Sequence, residues 1–157
     1  MTDQVSAVGL HVPDFTLPGT GGEFRLSRQR GKPLVIYFYP KDNTPGCTTE
    51  AGQFRDLHGE FAKLGCAVFG ISRDSLKSHE AFKAKLGLTF ELLSDTDETA
   101  CRLFGVIKLK KLYGRETLGI QRTTFLIDAA GILRREWRSV KTDGHAAEVL
   151  TAVRALQ

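Results

Sequence analysis

The feature that most constrains the fold is an uninterrupted run of large apolar side chains, "LVIYFY", at residues 34–39. A run without a polar face is typical of a central β-strand that other elements cover on both sides. The chain then becomes polar, and from Ala51 to Leu64 apolar side chains recur at spacings of three and four, which predicts an amphipathic helix. The sequence thus predicts a buried strand that leads through a short polar loop into a long helix.

Further strands and helices alternate along the rest of the chain. Two short strands, "DFTL" and "EFRL", flank the glycine-rich turn "PGTGG". Asp95 and Glu98 have the spacing of a capping box for a short helix that ends at Gly105. The other predicted elements are strands at "CAVFGIS", "LTFELLS", Gln121–Asp128 and "ILRREW", and helices from about Ser75 to Leu86 and from about Asp143 to Ala155. This alternation, with one late hairpin, predicts a single α/β domain over residues 1–157, in which helices flank a mixed central sheet.

The charge of the chain gives little support to nucleic-acid binding. The 157 residues include 22 Lys and Arg against 18 Asp and Glu, and the pI is near 9.1. The basic residues are scattered apart from "KLKKLYGR" at Lys108–Arg115, and aromatic side chains are not interleaved with basic ones as single-strand binders require. We therefore expect no nucleic-acid partner.

The apolar runs, the start of the chain and the spacing of its cysteines and histidines argue against a membrane, secreted or metal-binding protein. No stretch approaches the roughly 20 apolar residues of a membrane span, and the start, "MTDQVSAVGLHV", does not resemble a signal peptide. The three cysteines form no CxxC motif and the four histidines are widely spaced, so we expect neither a metal nor another cofactor. Because unpaired thiols are typical of a reducing compartment, we expect a cytoplasmic protein with no membrane partner.

Cys47 occupies the junction between the buried strand and the long helix. Thr44 is a suitable N-cap, and Pro45 suits the first helical position because its missing N–H would have no partner there. Cys47 then falls in the first turn, where unpaired N–H groups and the helix dipole favour a thiolate. Gly46 leaves room for a small molecule to approach the sulfur. By position alone, Cys47 is either a reactive nucleophile or an inert small residue.

The residues around Cys47 resemble the peroxidatic loop of the peroxiredoxins. Pro40, Thr44 and Cys47 match a PxxxTxxC motif, and "YFYPKDNTPGCTTEAGQFRD" and "GIQRTTFLIDAAG" are similar to the bacterioferritin comigratory protein (PrxQ) subfamily. The similarity extends from about Val12 to the final helix. It implies a thioredoxin-like (peroxiredoxin) fold and a monomeric, thiol-dependent peroxidase. Such an enzyme reduces hydrogen peroxide and organic hydroperoxides through a Cys47 sulfenic acid, without a metal or haem.

The same resemblance implies roles for the residues near Cys47. Thr44 would offer its hydroxyl to the sulfur or to the incoming peroxide. Pro40 would shield the thiolate from water and from overoxidation. Arg122, in "QRTTF", would hold the thiolate and stabilise charge on the leaving oxygen. Glu50 would anchor Arg122, although a glutamate at this position also simply suits the helix dipole.

The chain departs from the subfamily at the second, resolving cysteine that many members carry. Gly52 stands at one common position of that cysteine, and Lys83 at about the other. Cys66 follows the predicted helix, in which about 17 residues at 1.5 Å each would separate it from Cys47 by roughly 25 Å, whereas a disulfide needs Cα atoms within about 7 Å. Cys101 remains a candidate resolving cysteine, because its helix also starts at the carboxyl end of a strand.

The missing resolving cysteine favours a one-cysteine mechanism. An external thiol, such as thioredoxin, glutaredoxin or glutathione, would then reduce the sulfenic acid. The basic run Lys108–Lys111 is either an ordinary solvated loop or a surface that attracts an acidic thiol donor. Two other functions stay open: a thiol–disulfide oxidoreductase, which would normally need a CxxC motif, and a redox-sensing or chaperone-like binding protein that is switched by oxidation of Cys47.

Overall fold

Strands and helices alternate through residues 6–156, which are the residues that the computed structural model describes. The strands are β1 (Thr16–Leu17), β2 (Phe24–Arg25), β3 (Leu34–Phe38), β4 (Ala67–Ser72), β5 (Glu91–Ser94), β6 (Ile107–Leu112), β7 (Arg115–Ile120), β8 (Thr123–Ile127) and β9 (Leu133–Trp137). The helices are α1 (Pro45–Lys63), α2 (Leu76–Leu86), α3 (Thr99–Leu103) and α4 (His145–Ala155). None of the described helices is long and apolar enough to cross a bilayer. The predicted α/β class is confirmed.

β3 lies at the centre of a five-stranded sheet with the order β5-β4-β3-β8-β9. β3, β4 and β5 are parallel, whereas β8 is antiparallel to β3 and β9 is antiparallel to β8. All five residues of β3 are buried, as expected for a strand that is covered on both faces. The carboxyl ends of the three parallel strands therefore meet at one edge of the sheet, where β8 begins.

The sheet separates two apolar cores, because alternate residues of β3 point to opposite faces. Val35 and Tyr37 belong to the core that α1, α2 and α4 cover, which we call the α1 core. Ile36 and Phe38 belong to the core that contains the buried residues of α3, β1 and β2, which we call the α3 core. Each helix thus has a defined face of the sheet against which its apolar side chains pack.

The ends of α1 and α2 agree with the sequence signals. Thr44 is the N-cap of α1 in an extended conformation, and Pro45 occupies the first turn. The Ser75 hydroxyl accepts the Ser78 N–H at the start of α2. Gly87 ends α2 with a φ of 63°, a left-handed conformation that favours glycine.

The predicted capping box of α3 is wrong, because neither of its two reciprocal hydrogen bonds between Asp95 and Glu98 forms. The Asp95 carboxylate accepts the N–H groups of Ala100 at 3.1 Å and Cys101 at 2.7 Å, so it does cap the helix. The N–H of Asp95 donates to the Ser72 carbonyl instead of to Glu98. Glu98 is the N-cap residue with a φ of 64°, and its carboxylate pairs with two arginines.

The basic run at Lys108–Lys111 is part of a β-hairpin, so its interpretation as a loop is wrong. β6 and β7 pair antiparallel through a tight turn at Tyr113 and Gly114, whose φ angles of 53° and 77° are typical of a type I′ turn. Lysines occur on both faces of β6, which conceals the alternation by which a strand is usually predicted. The final helix also begins two residues later than expected, at His145.

The contact between β4 and the α1 core provides a test of the packing. A Cβ atom at Gly70 would lie 2.8 Å from Tyr37 Cζ and 2.9 Å from Leu92 Cδ2, and both of these side chains are fully buried. We expect Gly70→Ala to lower the free energy of unfolding by about 1–3 kcal/mol, because the close-packed core must shift. Urea unfolding measures this loss.

Gly59→Ala is the matched control in α1. A Cβ atom at Gly59 would meet nothing within 4 Å, and the residue is exposed. The same substitution should therefore raise the free energy of unfolding by about 0.5–1 kcal/mol, because alanine restricts the unfolded chain more than glycine does. Losses of similar size in both variants would contradict the packing at Gly70.

Candidate active site

The pairing of β3 with β8 determines which residues meet at the carboxyl edge of the sheet. Phe38, the last residue of β3, lies opposite Thr123, the first residue of β8. The chain reaches α1 soon after β3, and Arg122 stands just before β8. The antiparallel register therefore brings Arg122 to the amino end of α1, although it follows Cys47 by 75 residues in sequence.

Arg122 joins Cys47 and Glu50 in one cluster, which we call the Cys47 site. Nη2 of Arg122 donates to Cys47 Sγ at 3.4 Å, and Nη1 donates to Glu50 Oε1 at 2.7 Å. Gly46 permits this approach, because a Cβ atom there would lie 3.0 Å from Nη2. The side chain of Arg122 is 16% exposed and that of Glu50 is 1% exposed, so both charges are shielded from water.

Burial raises the pKa of Glu50 from its ordinary value of 4.5 to about 7, although the charge and the hydrogen bond of Arg122 act in the opposite direction. The second carboxylate oxygen, Oε2, is buried and has no hydrogen-bond partner in the described part of the chain, which adds to the cost of ionisation. Near neutral pH, Glu50 is therefore present in both its neutral and its ionised form. The neutral form leaves more of the Arg122 charge to act on Cys47.

The first turn of α1 also directs positive potential towards the sulfur of Cys47. The N–H of Thr48 makes the first helical bond, to the Thr44 carbonyl at 2.9 Å. The N–H groups of Gly46 and Cys47 precede that bond and have no acceptor within the helix. The side chain of the N-cap residue Thr44 does not accept a hydrogen bond from these groups. An anion at Cys47 is thus stabilised by the helix terminus and by the Arg122 guanidinium.

Thr44 and Pro40 lie around the Cys47 site without contacting the sulfur through a hydrogen bond. The Thr44 hydroxyl donates to the Lys41 carbonyl at 2.8 Å, so in this conformation its oxygen can only accept a further hydrogen bond. Pro40 follows the buried residue Tyr39 and is itself half-buried. The roles that the resemblance implies for these two residues stay predictions.

The other two cysteines are buried away from Cys47, and all three are free. Cys101 belongs to the α3 core and Cys47 to the α1 core, so the sheet stands between them. Burial and the Asp95 carboxylate raise the pKa of Cys101 far above its ordinary value. Cys66 follows the intact 19-residue α1, and burial raises its pKa to about 12. Neither thiol is placed to form a disulfide with Cys47 in the folded protein.

A buried polar network behind the Cys47 loop is absent from the sequence-based predictions. Asp42 Oδ1 accepts the Tyr39 hydroxyl at 2.6 Å, and Asp42 Oδ2 lies 2.8 Å from His79 Nδ1. Nε2 of His79 donates to the Leu93 carbonyl at 2.9 Å. Burial would raise the pKa of Asp42, but the hydrogen bonds from His79 and Tyr39 outweigh it and lower the pKa. The network attaches the loop that precedes Cys47 to α2.

The sequence signal that could have revealed the buried position of His79 is its spacing from Phe82, which places both residues on the buried face of α2.

The fold and the comparisons with known proteins identify the chain as a thiol-dependent peroxidase. The model of the AhpC/TSA family matches residues 8–136, and the chain belongs to this family. It is 50% identical over 156 residues to Peroxiredoxin Bcp of Xanthomonas campestris, with 99% of this chain and 98% of that protein covered. It is 49% identical over 148 residues to Peroxiredoxin Bcp of Bacillus subtilis, with 94% of each chain covered.

Solved structures of similar proteins agree with this assignment. The bacterioferritin comigratory protein of Xanthomonas campestris, whose structures were used to study alkyl peroxide reduction, is 49% identical, with a TM-score of 0.88 over 98% of each chain. A mutant of PrxQ from Xylella fastidiosa is 42% identical, with a TM-score of 0.91 over 96% of each chain. The predicted thioredoxin-like fold and the predicted subfamily are both confirmed.

The raised pKa of Glu50 gives a test of its environment. Because the folded chain binds a proton at Glu50 more tightly than the unfolded chain, the stability that this group contributes is present below about pH 4.5 and is lost as the pH rises to about 7. Glu50→Gln cannot ionise. The unfolding free energy of this variant relative to wild type should therefore increase by on the order of 3 kcal/mol between those pH values.

Urea unfolding at about pH 4.5, 6 and 8 measures this change. Glu23→Gln, at an exposed position, is the control for removal of a carboxylate. Parallel stability curves for wild type and Glu50→Gln would show that Glu50 is not perturbed by burial.

Proposed function

We propose that Cys47 of this peroxidase reduces hydrogen peroxide and organic hydroperoxides by a one-cysteine mechanism. The observation that carries the proposal is the contact of 3.4 Å between the Arg122 guanidinium and Cys47 Sγ. A fixed cation and hydrogen-bond donor favours the thiolate, which is the nucleophilic form of cysteine. The relative from Xanthomonas campestris, which has been studied for alkyl peroxide reduction, supports the same substrate class.

The first step is attack by the Cys47 thiolate on the terminal oxygen of the peroxide. The S–O bond forms as the O–O bond breaks, so the sulfur loses two electrons and becomes a sulfenic acid. The leaving alkoxide takes a proton from solvent and departs as an alcohol, or as water when the substrate is hydrogen peroxide. Arg122 and the first-turn N–H groups of α1 stabilise the negative charge on the leaving oxygen.

Access to the sulfur requires a small movement of the residues around it. Cys47 is 1% exposed, and Pro40, Thr44 and Gly46 around it are half-buried. Rotation of the Thr44 side chain would break its hydrogen bond to the Lys41 carbonyl and let the hydroxyl donate to an incoming peroxide. Because so little of Cys47 is exposed, we expect the sulfur to be reached more easily by a narrow hydroperoxide group than by a bulky substituent.

The recycling steps use thiols from outside the chain. One thiol attacks the sulfenic acid, which forms a mixed disulfide with Cys47 and releases water. A second thiol attacks the external sulfur of the mixed disulfide, which forms a disulfide between the two external thiols and releases the Cys47 thiolate. The burial of Cys66 and Cys101, and the position of Cys101 across the sheet, support this route over an internal disulfide.

Mass spectrometry after one equivalent of hydrogen peroxide tests this mechanism. We expect wild type, Cys66→Ser and Cys101→Ser each to gain one oxygen atom and to react with a sulfenic-acid reagent. Cys47→Ser should gain none and should lose peroxide turnover with dithiothreitol by more than about 100-fold, because the nucleophile is absent.

Two results would contradict the mechanism. A loss of two hydrogens that depends on Cys101 would establish an internal disulfide. Turnover that survives in Cys47→Ser would refute peroxide reduction by Cys47. Formation of a Cys47 sulfenic acid without turnover would favour the redox-sensing or chaperone-like alternative.

We further propose that the external reductant is an acidic thiol protein, such as thioredoxin or glutaredoxin, and that it docks on the β6–β7 hairpin. Leu109 and Leu118 are cross-strand partners and are 62% and 59% exposed, and Tyr113 at the turn is 96% exposed. Lys111 and Glu116 share the face of the two leucines, and the exposed charges on the opposite face include Lys108 and Arg115. An exposed apolar pair on a hairpin whose net charge is positive suits an acidic partner with an apolar surface.

The docking surface can be tested by two double variants. Leu109→Ser with Leu118→Ser, and Lys108→Glu with Lys111→Glu, should each raise the KM for thioredoxin or glutaredoxin by about tenfold or more, because the apolar and the electrostatic contacts are lost. Turnover with dithiothreitol should not change. Val8→Ser, at a 54% exposed position outside the hairpin, is the control for loss of an exposed apolar residue. An unchanged KM in both double variants would rule out the hairpin as the docking surface.

We also propose that the protein works in the cytoplasm as a monomer. The three free cysteines support a reducing compartment. The resemblance to the PrxQ subfamily supports the monomer, and sedimentation of the reduced protein would test it.

A further inference from the structure

Lys110 differs from the other lysines of the hairpin because its side chain is folded back onto β7, the strand that leads to Arg122. Its Nζ donates to the Ile120 carbonyl at 2.5 Å, two residues before Arg122. Its stem lies against Gly119, where a Cβ atom would approach Lys110 Cδ to 3.2 Å and Cε to 3.4 Å. Lys110 is half-buried, whereas Lys111 is exposed. The missing side chain at Gly119 thus provides the space in which the Lys110 ammonium is held.

The charge of Lys110 is not neutralised by a carboxylate of the described residues. Arg122 pairs with Glu50, and Lys111 lies 3.9 Å from Glu116. None of the ion pairs between residues in the described range includes Lys110. Burial lowers the pKa of Lys110 and the Arg122 charge lowers it further, whereas the negative charge of Cys47 opposes both. Lys110 is therefore a cation that is electrostatically coupled to the catalytic sulfur and has no anion of its own.

We propose that Lys110 is a specificity-determining residue of the Cys47 site and that it binds the carboxylate of a small anionic reactant. This inference rests on the proposed peroxidase mechanism. One N–H of the ammonium is held by the Ile120 carbonyl, and the other two remain to donate to a carboxylate. Because the group is half-buried and already ordered, its attraction for an anion is stronger than that of a free surface lysine.

The carboxylate that Lys110 binds can belong to either of two reactants. A carboxylate-bearing hydroperoxide would use Lys110 when it oxidises Cys47, and a small carboxylate-bearing thiol would use it when it reduces the sulfenic acid. Arg122 is occupied by Cys47 and Glu50, so Lys110 is the cation that remains for the part of the reactant that does not react. Arg122 thus binds the Cys47 sulfur and Glu50, whereas Lys110 binds the carboxylate of the reactant.

The first experiment uses cumene hydroperoxide with and without a para-carboxylate, and stopped-flow measurement of the rate constant for oxidation of the reduced protein. Wild type should prefer the carboxylate by about tenfold, and Lys110→Met should remove most of this preference, with a smaller effect on the neutral peroxide. Lys110→Arg keeps the charge and should keep the preference. Lys63→Met, at a 76% exposed site, is the control for a change in net charge.

The second experiment applies the same variants to the sulfenic acid form. The reductants are 2-mercaptoethanol, which is neutral, and 3-mercaptopropionate, which carries a carboxylate. The measured quantity is the rate constant for 3-mercaptopropionate divided by that for 2-mercaptoethanol. This ratio is compared between variants, so the intrinsic reactivity of each thiol cancels. A decrease of about tenfold in this ratio for Lys110→Met assigns the carboxylate to the reductant, whereas a decrease only in the first experiment assigns it to the hydroperoxide.

The outcomes separate this inference from the proposed function. Equal ratios in wild type, Lys110→Met and Lys110→Arg in both experiments would overturn the role of Lys110 and leave the peroxidase intact. Equal losses with neutral and anionic reactants in Lys110→Met would also overturn it, because such losses indicate a purely structural effect. Failure of wild type to reduce the neutral hydroperoxide through Cys47 would instead refute the proposed function itself.

Discussion

The antiparallel pairing of β3 with β8 is the constraint on which the rest of the structure depends. It places the first residue of β8 opposite the last residue of β3, so that Arg122 arrives at the start of the helix that carries Cys47. A shift of one residue in this register would turn every side chain of β8 to the other face of the sheet. The buried residues of both strands oppose such a shift, because their alternate side chains fill two different cores. The same contacts that stabilise the sheet therefore position the guanidinium at the sulfur.

The burial of Glu50 determines how much of the positive charge of Arg122 remains to act on Cys47. A fully ionised Glu50 at 2.7 Å would neutralise most of the guanidinium charge and would leave Cys47 beside a carboxylate. Because burial raises the pKa of Glu50 to about 7, the carboxyl group orients Arg122 by a hydrogen bond while cancelling only part of its charge near neutral pH. The low exposure of Glu50 thus serves the chemistry of Cys47, although the residue itself does not touch the sulfur through a hydrogen bond.

The sequence predicts the elements whose signals are local, and it misses those that depend on contacts between distant segments. The apolar run of β3 and the residues Thr44 and Pro45 were enough to place Cys47 in the first turn of a helix. The contact with Arg122 was expected only through family resemblance, because no local pattern links residues so far apart. The β6–β7 hairpin was missed because the consecutive lysines Lys110 and Lys111 lie on opposite faces of β6 and interrupt the alternation of apolar and polar residues. The network of Asp42 and His79 was missed for a related reason, since each of these residues is ordinary until the other is placed beside it.

The comparison of Cys47 with Cys101 shows why only one thiol in the chain is suited to react. Both are the third residue of a helix, where the dipole alone would favour a thiolate at each. In α1 the side chain of the N-cap residue Thr44 leaves the first-turn N–H groups uncapped, and the added charge is the Arg122 cation. In α3 the Asp95 carboxylate accepts the N–H groups of Ala100 and Cys101, so a negative charge occupies the place that a thiolate or a peroxide would need. The position of a cysteine in a helix therefore does not decide its chemistry. Its chemistry is decided by the charged group that lies at the first turn of the helix, which is Arg122 in α1 and Asp95 in α3.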